Sequence, residues 1–122
     1  VHGEDGLCEL TVTAPTLVSE LRDGTIREYT ITAEEMGLRP GKLVDIRTDS
    51  AEESAQMILA ILSGEDQGTP RDMALINTSG ALVVAGLADD LKQGVSLASE
   101  AVDSGRALEK LEQLKTFSQQ SA

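Results

Sequence analysis

Aromatic side chains are nearly missing from this sequence: its 122 residues include one Tyr, one Phe and no Trp. That excludes a stacking platform for bases or sugars. Positive charge is also scarce, with ten Lys and Arg against 21 Asp and Glu and a formal net charge of −11. No basic block is present, so a phosphate backbone would be repelled and no nucleic-acid partner is expected. The single cysteine, Cys8, excludes an internal disulfide and fits a reducing, cytoplasmic setting. No apolar run is long enough to cross a bilayer, so no membrane partner is expected. There is no phosphate cradle of the P-loop type and no Cys-x-x-Cys pair. His2 is the only histidine, too little for a metal cluster or a triad built on sequence evidence alone.

What is present is an aliphatic core composition, with 40% apolar residues. The stretch from residue 7 to 31 reads as extended, with Leu10-Thr11-Val12-Thr13 and Thr25 to Ile31 as strand candidates and Pro15 as a break between them. Asp23-Gly24 predicts a tight hairpin turn, because both central residues tolerate positive φ. Thr32-Ala33-Glu34-Glu35 predicts one capped helical turn ending at Gly37. Ser50-Ala51-Glu52-Glu53 is a capping box that opens a helix running to Gly64, with Ala51, Ala55, Ile58 and Leu62 on its apolar face. Thr69-Pro70 opens a second helix with little polar face, predicted to be the most buried. Gly80 weakens that helix unless another element packs closely there. A third helix is expected over 89–103 and a fourth from Ser104, with fraying from Ser118 to Ala122. Helices this apolar call for a larger sheet than one hairpin provides. The start at Val1 reads as internal to a longer protein.

The residues closest to chemistry are the first nine, Val1-His2-Gly3-Glu4-Asp5-Gly6-Leu7-Cys8-Glu9. A carboxylate at the end of a strand, facing a crevice, is a place where a phosphate-bound magnesium ion is held. An acidic, Gly-rich stretch is by itself also simply a turn. Asn77, in the apolar helix, requires hydrogen-bond partners, for which helix packing is the plain explanation. Arg71-Asp72 suits ion pairs at a helix start.

Taken in order, these segments resemble the C-terminal part of anthranilate phosphoribosyltransferases. The resemblance rests on Val1-His2-Gly3 with Asp5-Gly6-Leu7 and Glu9, on Pro15-Thr16 with Glu20-Leu21, and on Ile26-Arg27-Glu28-Tyr29. It continues through Gly37-Leu38, Ala51-Glu52-Glu53, Ile61-Leu62-Ser63-Gly64, Pro70-Arg71-Asp72 and Ile76-Asn77. Ala101-Val102-Asp103-Ser104-Gly105-Arg106-Ala107, with Leu111 and Leu114, closes it. The resemblance implies an α/β fold, the C-terminal portion of a domain like that of nucleoside phosphorylases and phosphoribosyltransferases, here a short β-hairpin followed by four helices. Residues 1–122 would be one partial domain, with the helical domain and the phosphate-binding loops upstream.

The implied activity is transfer of phosphoribosyl from phosphoribosyl pyrophosphate to anthranilate, in tryptophan biosynthesis, by a homodimer. Such enzymes bind Mg2+ on the pyrophosphate side through an Asp-Glu pair, which reads Cys8-Glu9 here. Glu9 keeps its carboxylate, while a thiol at Cys8 is a poor magnesium ligand. Ser54 and Thr78-Ser79-Gly80 are smaller departures. The isolated segment is expected to be inactive. Two other readings share the fold: a non-catalytic binding or scaffolding paralogue, and a piece of a pyrimidine nucleoside phosphorylase.

Overall fold

A computed structural model describes residues 1–119. Three antiparallel strands come first: β1 (His2–Gly3), β2 (Thr16–Arg22) and β3 (Thr25–Ile31), in the order β1-β2-β3. Four helices follow: α1 (Ala51–Leu62), α2 (Thr69–Val84), α3 (Leu91–Asp103) and α4 (Arg106–Gln119). The hairpin is tight. Arg22 pairs with Thr25, and the two residues between them, Asp23 and Gly24, have φ of 51° and 74°. Both lie in the left-handed region, as the predicted turn requires. On β2, Thr16 and Val18 turn inward, whereas β3 buries only Ile31.

The caps follow the sequence closely. Glu35 N donates to Thr32 Oγ1 at 3.4 Å, and Thr32 N donates to Glu35 Oε2 at 2.8 Å, around a 3-10 turn at Glu34–Met36. Ser50 Oγ accepts from Glu53 N at 3.1 Å and opens α1. The reciprocal bond is displaced by one residue: Glu53 Oε2 accepts from Asp49 N, at 2.8 Å. Asp90 caps α3 by accepting from Gln93 N at 2.8 Å, so α3 begins two residues later than the expected 89. Ser118 and Gln119, expected to fray, are helical, and residues 120–122 lie outside the described residues.

Two expectations fail. Leu10 to Thr13 form no strand, although Leu10, Thr11 and Val12 are buried. β-branched residues suit any tightly packed extended backbone, and here no neighbouring strand lies in register to pair with them. On α1 the inward side is Ser54, Met57 and Ile61, while Ala51, Ala55 and Ile58 are exposed. Of the expected stripe only Leu62 packs inward, against the cluster of Leu75, Ala98 and Val102; the rest of the inward side is the neighbouring face.

Helix α2 is the centre of the molecule, as its composition implied. Met73 and Ile76 join Leu10, Val12, Val18, Ile31 and Ala33 in one core cluster. Leu75 joins Ala98 and Val102 in a second. Ile76 is 0% exposed. The α2–α3 crossing is close because Gly94 faces Ser79: a Cβ on Gly94 would lie 2.8 Å from Ser79 Cα and 2.9 Å from its carbonyl oxygen. Ser79 is itself buried, and its hydroxyl donates back to Ile76 O at 2.6 Å.

Charge pairs hold the start of α2. Arg71, buried at 8% exposure, donates through Nη2 to Asp103 Oδ1 at 2.8 Å and to Ser99 Oγ at 3.0 Å. The hydrogen bond from Arg71, followed by that from Ser99, holds the Asp103 carboxyl below its ordinary range. Asp72 meets Arg39, with Nε to Oδ2 at 3.5 Å. The sequence reading of Arg71-Asp72 as ion-pairing residues thus describes two inter-element clamps.

Large apolar side chains also remain in contact with solvent. Val84, at the end of α2, is 90% exposed, and Leu21, Ile26, Leu87 and Phe117 are each exposed by about two thirds. None of the helices among the described residues is long and apolar enough to cross a membrane.

Gly94→Ala places its methyl group against Ser79 backbone atoms that cannot rotate away. Overpacking of this kind costs about 1–3 kcal/mol, so urea unfolding should show a lowered midpoint with little change in slope. An unchanged midpoint would mean that the two helices do not approach this closely.

Candidate functional site

The site suggested by the sequence is built on the irregular segment that links β1 to β2. Its backbone enters as strand, with His2 opposite Leu17 and Gly3 opposite Thr16. It then turns back at once: Gly6 N donates to Gly3 O at 2.9 Å and Gly3 N to Leu7 O at 2.8 Å. Gly6 sits at φ 92°, where a side chain is disfavoured. Gly3 has no room for one either, because a Cβ would strike the Asp5 carboxylate and come 2.8 Å from Thr11 Cγ2.

Asp5 organises the inside of this turn. Its Oδ1 accepts from Leu7 N at 3.0 Å, and its Oδ2 accepts from Thr11 Oγ1 at 2.8 Å and from Thr13 Oγ1. Partial desolvation pushes the Asp5 carboxyl upward, but the bonds from Thr13, the Leu7 amide and Thr11 outweigh it and hold the group below its ordinary value. Thr11 N in turn donates to Thr16 Oγ1 at 3.1 Å, and Glu4 N to Pro15 O at 2.9 Å. The far end is held from α2. Asn77 Oδ1 accepts from Leu10 N at 3.1 Å, and Asn77 Nδ2 donates to Leu10 O at 2.8 Å.

Cys8 and Glu9 stand between these two anchorages, and both are exposed. Among the described residues, neither side chain makes a hydrogen bond or ion pair. Glu9 borders a groove of about 270 Å³ lined by Ser54, Met57, Ile58, Ile61 and Asn77. His2 is exposed on β1 and is not gathered with them into a cluster. Among the described residues, no group of three or more His, Cys, Asp or Glu is placed to hold a metal ion. A magnesium ion here would therefore take one protein carboxylate and complete its shell from phosphate oxygens and water. That donor set suits magnesium, and the free, exposed carboxylate of Glu9 fits it. The thiol of Cys8 does not.

Sequence reasoning singled out Cys8 and Glu9 but missed what holds the backbone on either side of them. The signal for Asn77 was present, since an amide in an apolar helix must have partners. Its partner, 67 residues away in sequence, could not be read.

Because the folded Asp5 value lies below the unfolded one, its contribution to stability is complete above the unfolded carboxylate value of 3.8 and is lost as pH falls through the folded value. Asp5→Asn should therefore lower stability at neutral pH and flatten the acid limb of the stability–pH curve. Urea unfolding of both proteins from pH 7 to pH 2 tests this. An acid limb of undiminished slope in the variant would show that Asp5 does not carry the effect.

Residues 1–108 match the glycosyl transferase family, a/b domain. The anthranilate phosphoribosyltransferase of Afipia carboxidovorans is 47% identical over 118 residues, which is 97% of this chain and 35% of that protein. The crystal structure of anthranilate phosphoribosyltransferase from Thermus thermophilus superimposes with a TM-score of 0.82 at 34% identity, covering 92% of this chain and 32% of that one. A variant of the Saccharomyces cerevisiae enzyme with Mg bound gives a TM-score of 0.79 at 25% identity, covering 91% and 32%. The chain spans about a third of the length of the relatives it matches. With a family match across 108 residues and the same fold in solved relatives, this chain belongs to the glycosyl transferase family, as part of its a/b domain.

Proposed function

We propose that these residues are the C-terminal part of an anthranilate phosphoribosyltransferase, which transfers phosphoribosyl from phosphoribosyl pyrophosphate to anthranilate in tryptophan biosynthesis. The observation that carries this reading is identity of 41–47% to enzymes of that name over nearly the whole chain. The exposed Cys8-Glu9 dipeptide, held out from a pinned turn, agrees with it. The complete protein would act as a homodimer in the cytoplasm, with no nucleic-acid or membrane partner. The competing readings, a scaffolding paralogue or a pyrimidine nucleoside phosphorylase, draw less support, since the relatives named above are all anthranilate phosphoribosyltransferases.

In this reading Glu9 holds Mg2+ against the pyrophosphate, with the Cys8 position beside it. When bound, the ion neutralises charge that develops on the leaving pyrophosphate. The chain's own contribution is to present the Glu9 carboxylate in a fixed place and leave it unpaired. Residues that grip the remaining phosphates and the amine substrate are not identifiable among these 122. The isolated chain should therefore show no transfer.

A chimera tests the assignment. These residues replace the corresponding third of the Thermus thermophilus enzyme, and formation of phosphoribosyl anthranilate is followed across a magnesium titration. The chimera should turn over, and the isolated chain should not. Glu9→Gln should weaken the magnesium dependence by about tenfold or more, the scale seen when groups supporting a bound metal are removed. Cys8→Asp should lower the magnesium requirement by adding a hard oxygen donor, with the gain fading at saturation. A folded chimera without turnover would overturn the activity. Unchanged magnesium dependence in both variants would overturn the metal role.

A further inference from the structure

The Cys8-Glu9 dipeptide is bounded on each side by a residue whose backbone is fixed by a side chain. Leu7 is held by Asp5, through its N–H at 3.0 Å. Leu10 is held on both of its backbone polar groups by one amide, Asn77, at 3.1 Å and 2.8 Å. A primary amide offers a donor and an acceptor side by side, so it substitutes for the edge of a neighbouring strand where no strand exists. The third bond, from Asn77 Nδ2 to Met73 O at 3.0 Å, fixes the rotation of that amide on α2. One turn later Gly80 serves the same residue differently: a Cβ there would lie 2.8 Å from Leu10 Cδ1. Asn77 thus secures the backbone of Leu10, and Gly80 makes space for its side chain. Helix α2 carries the most buried residues of the four helices, so the anchorage is made to the core.

We infer that Asn77 is a positioning residue for Glu9, acting with Asp5 as a two-ended clamp that sets where the carboxylate stands. The hydrogen bonds of both side chains go to the protein itself, in the site segment and on α2. Leu10 N–H and O are buried beside α2, and removal of Asn77 leaves them unpaired, so the backbone must move to find water. Glu9 is the adjacent residue and moves with it. The functional part of this inference rests on the reading of Glu9 as a magnesium ligand; the clamp itself does not.

The test uses the 15N-labelled chain with Asn77→Ala, Asn77→Asp, Asp5→Asn and Glu9→Gln. Asn77→Asp keeps shape and an acceptor for Leu10 N–H but puts a carboxylate oxygen against Leu10 O. Amide exchange at Leu10 should accelerate by about tenfold or more in Asn77→Ala, the loss expected for a buried group left without its hydrogen bond, and by less in Asn77→Asp, which keeps the acceptor and loses only the bond to Leu10 O. Heteronuclear NOE values at Cys8 and Glu9 should fall, while amides of α3 and of the β2–β3 hairpin keep their protection. Affinity for magnesium with inorganic pyrophosphate, measured by calorimetry on the chimera described above, should weaken in the Asn77, Asp5 and Glu9 variants alike. Unchanged order at Cys8 and Glu9 in a folded Asn77 variant would overturn the clamp. Global unfolding of both Asn77 variants would also overturn it, because Asn77 would then serve the core as a whole. If Glu9→Gln alone leaves metal affinity intact, the magnesium reading fails, and the exchange and NOE data still decide the clamp.

Discussion

A buried backbone that forms no strand must still pair its amides and carbonyls, and this constraint governs the segment between β1 and β2. Leu10, Thr11 and Val12 are buried without a ladder. Their polar groups are met one at a time: by Asn77 at Leu10, by the Thr16 hydroxyl at Thr11, and by Gly41 N, which donates to Val12 O at 2.9 Å. Each partner comes from a different element, so the segment ties α2, β2 and the connector before α1 to one another. The regular elements could be rearranged without it. The exposed dipeptide at Cys8 and Glu9 could not be held in place.

The same constraint explains what was legible. Signals that act over a few residues were read correctly. Asp23-Gly24 made its hairpin because only the local backbone decides it, and Ser50 and Thr32 capped their turns for the same reason. The apolar character of α2 announced its burial, and Gly80 announced a close neighbour. What failed depended on distant partners. Leu10-Thr11-Val12-Thr13 has the composition of a strand, but strand formation needs a second strand in register. Helix α1 carries apolar residues on more than one face, and only tertiary packing buries Ile61 while leaving Ile58 exposed. Cys8 and Glu9 were singled out through resemblance, whereas the Asp5 and Asn77 anchorages depend on partners that only the folded chain brings together.

Small residues carry much of the remaining specificity. Gly94 against Ser79 and Gly80 against Leu10 are both places where a methyl group would meet an atom at 2.8 Å. On α2 the two contacts fall at neighbouring residues, Ser79 admitting α3 and Gly80 admitting Leu10. The Thr78-Ser79-Gly80 run, one of the smaller departures from the pattern it resembles, is therefore not neutral filler. Ser79 returns its hydroxyl to Ile76 O, and Thr78 returns its own to Ala74 O at 2.8 Å. Both satisfy themselves within the helix, so polar atoms enter this packed region without demanding partners from it.

Charge sets the last condition on the site. A chain with net charge −11 repels a polyphosphate at long range, and Glu9 adds to that repulsion locally. The cavity where cations gather is lined by Arg39, Arg71 and Lys92 and does not include Cys8 or Glu9. Arg71 is already engaged with Asp103 and Ser99 there. The groove that Glu9 borders has no cationic side chain in its lining among the described residues. Under the proposed function a divalent ion is what makes contact between carboxylate and phosphate favourable, because each alone repels the other. The geometry demanded of the protein is then modest: one free carboxylate held steady, with no paired base to compete for it. A clamped dipeptide with an unbonded Glu9 supplies that, and the single thiol beside it reduces the number of hard donors without blocking the approach of the ion.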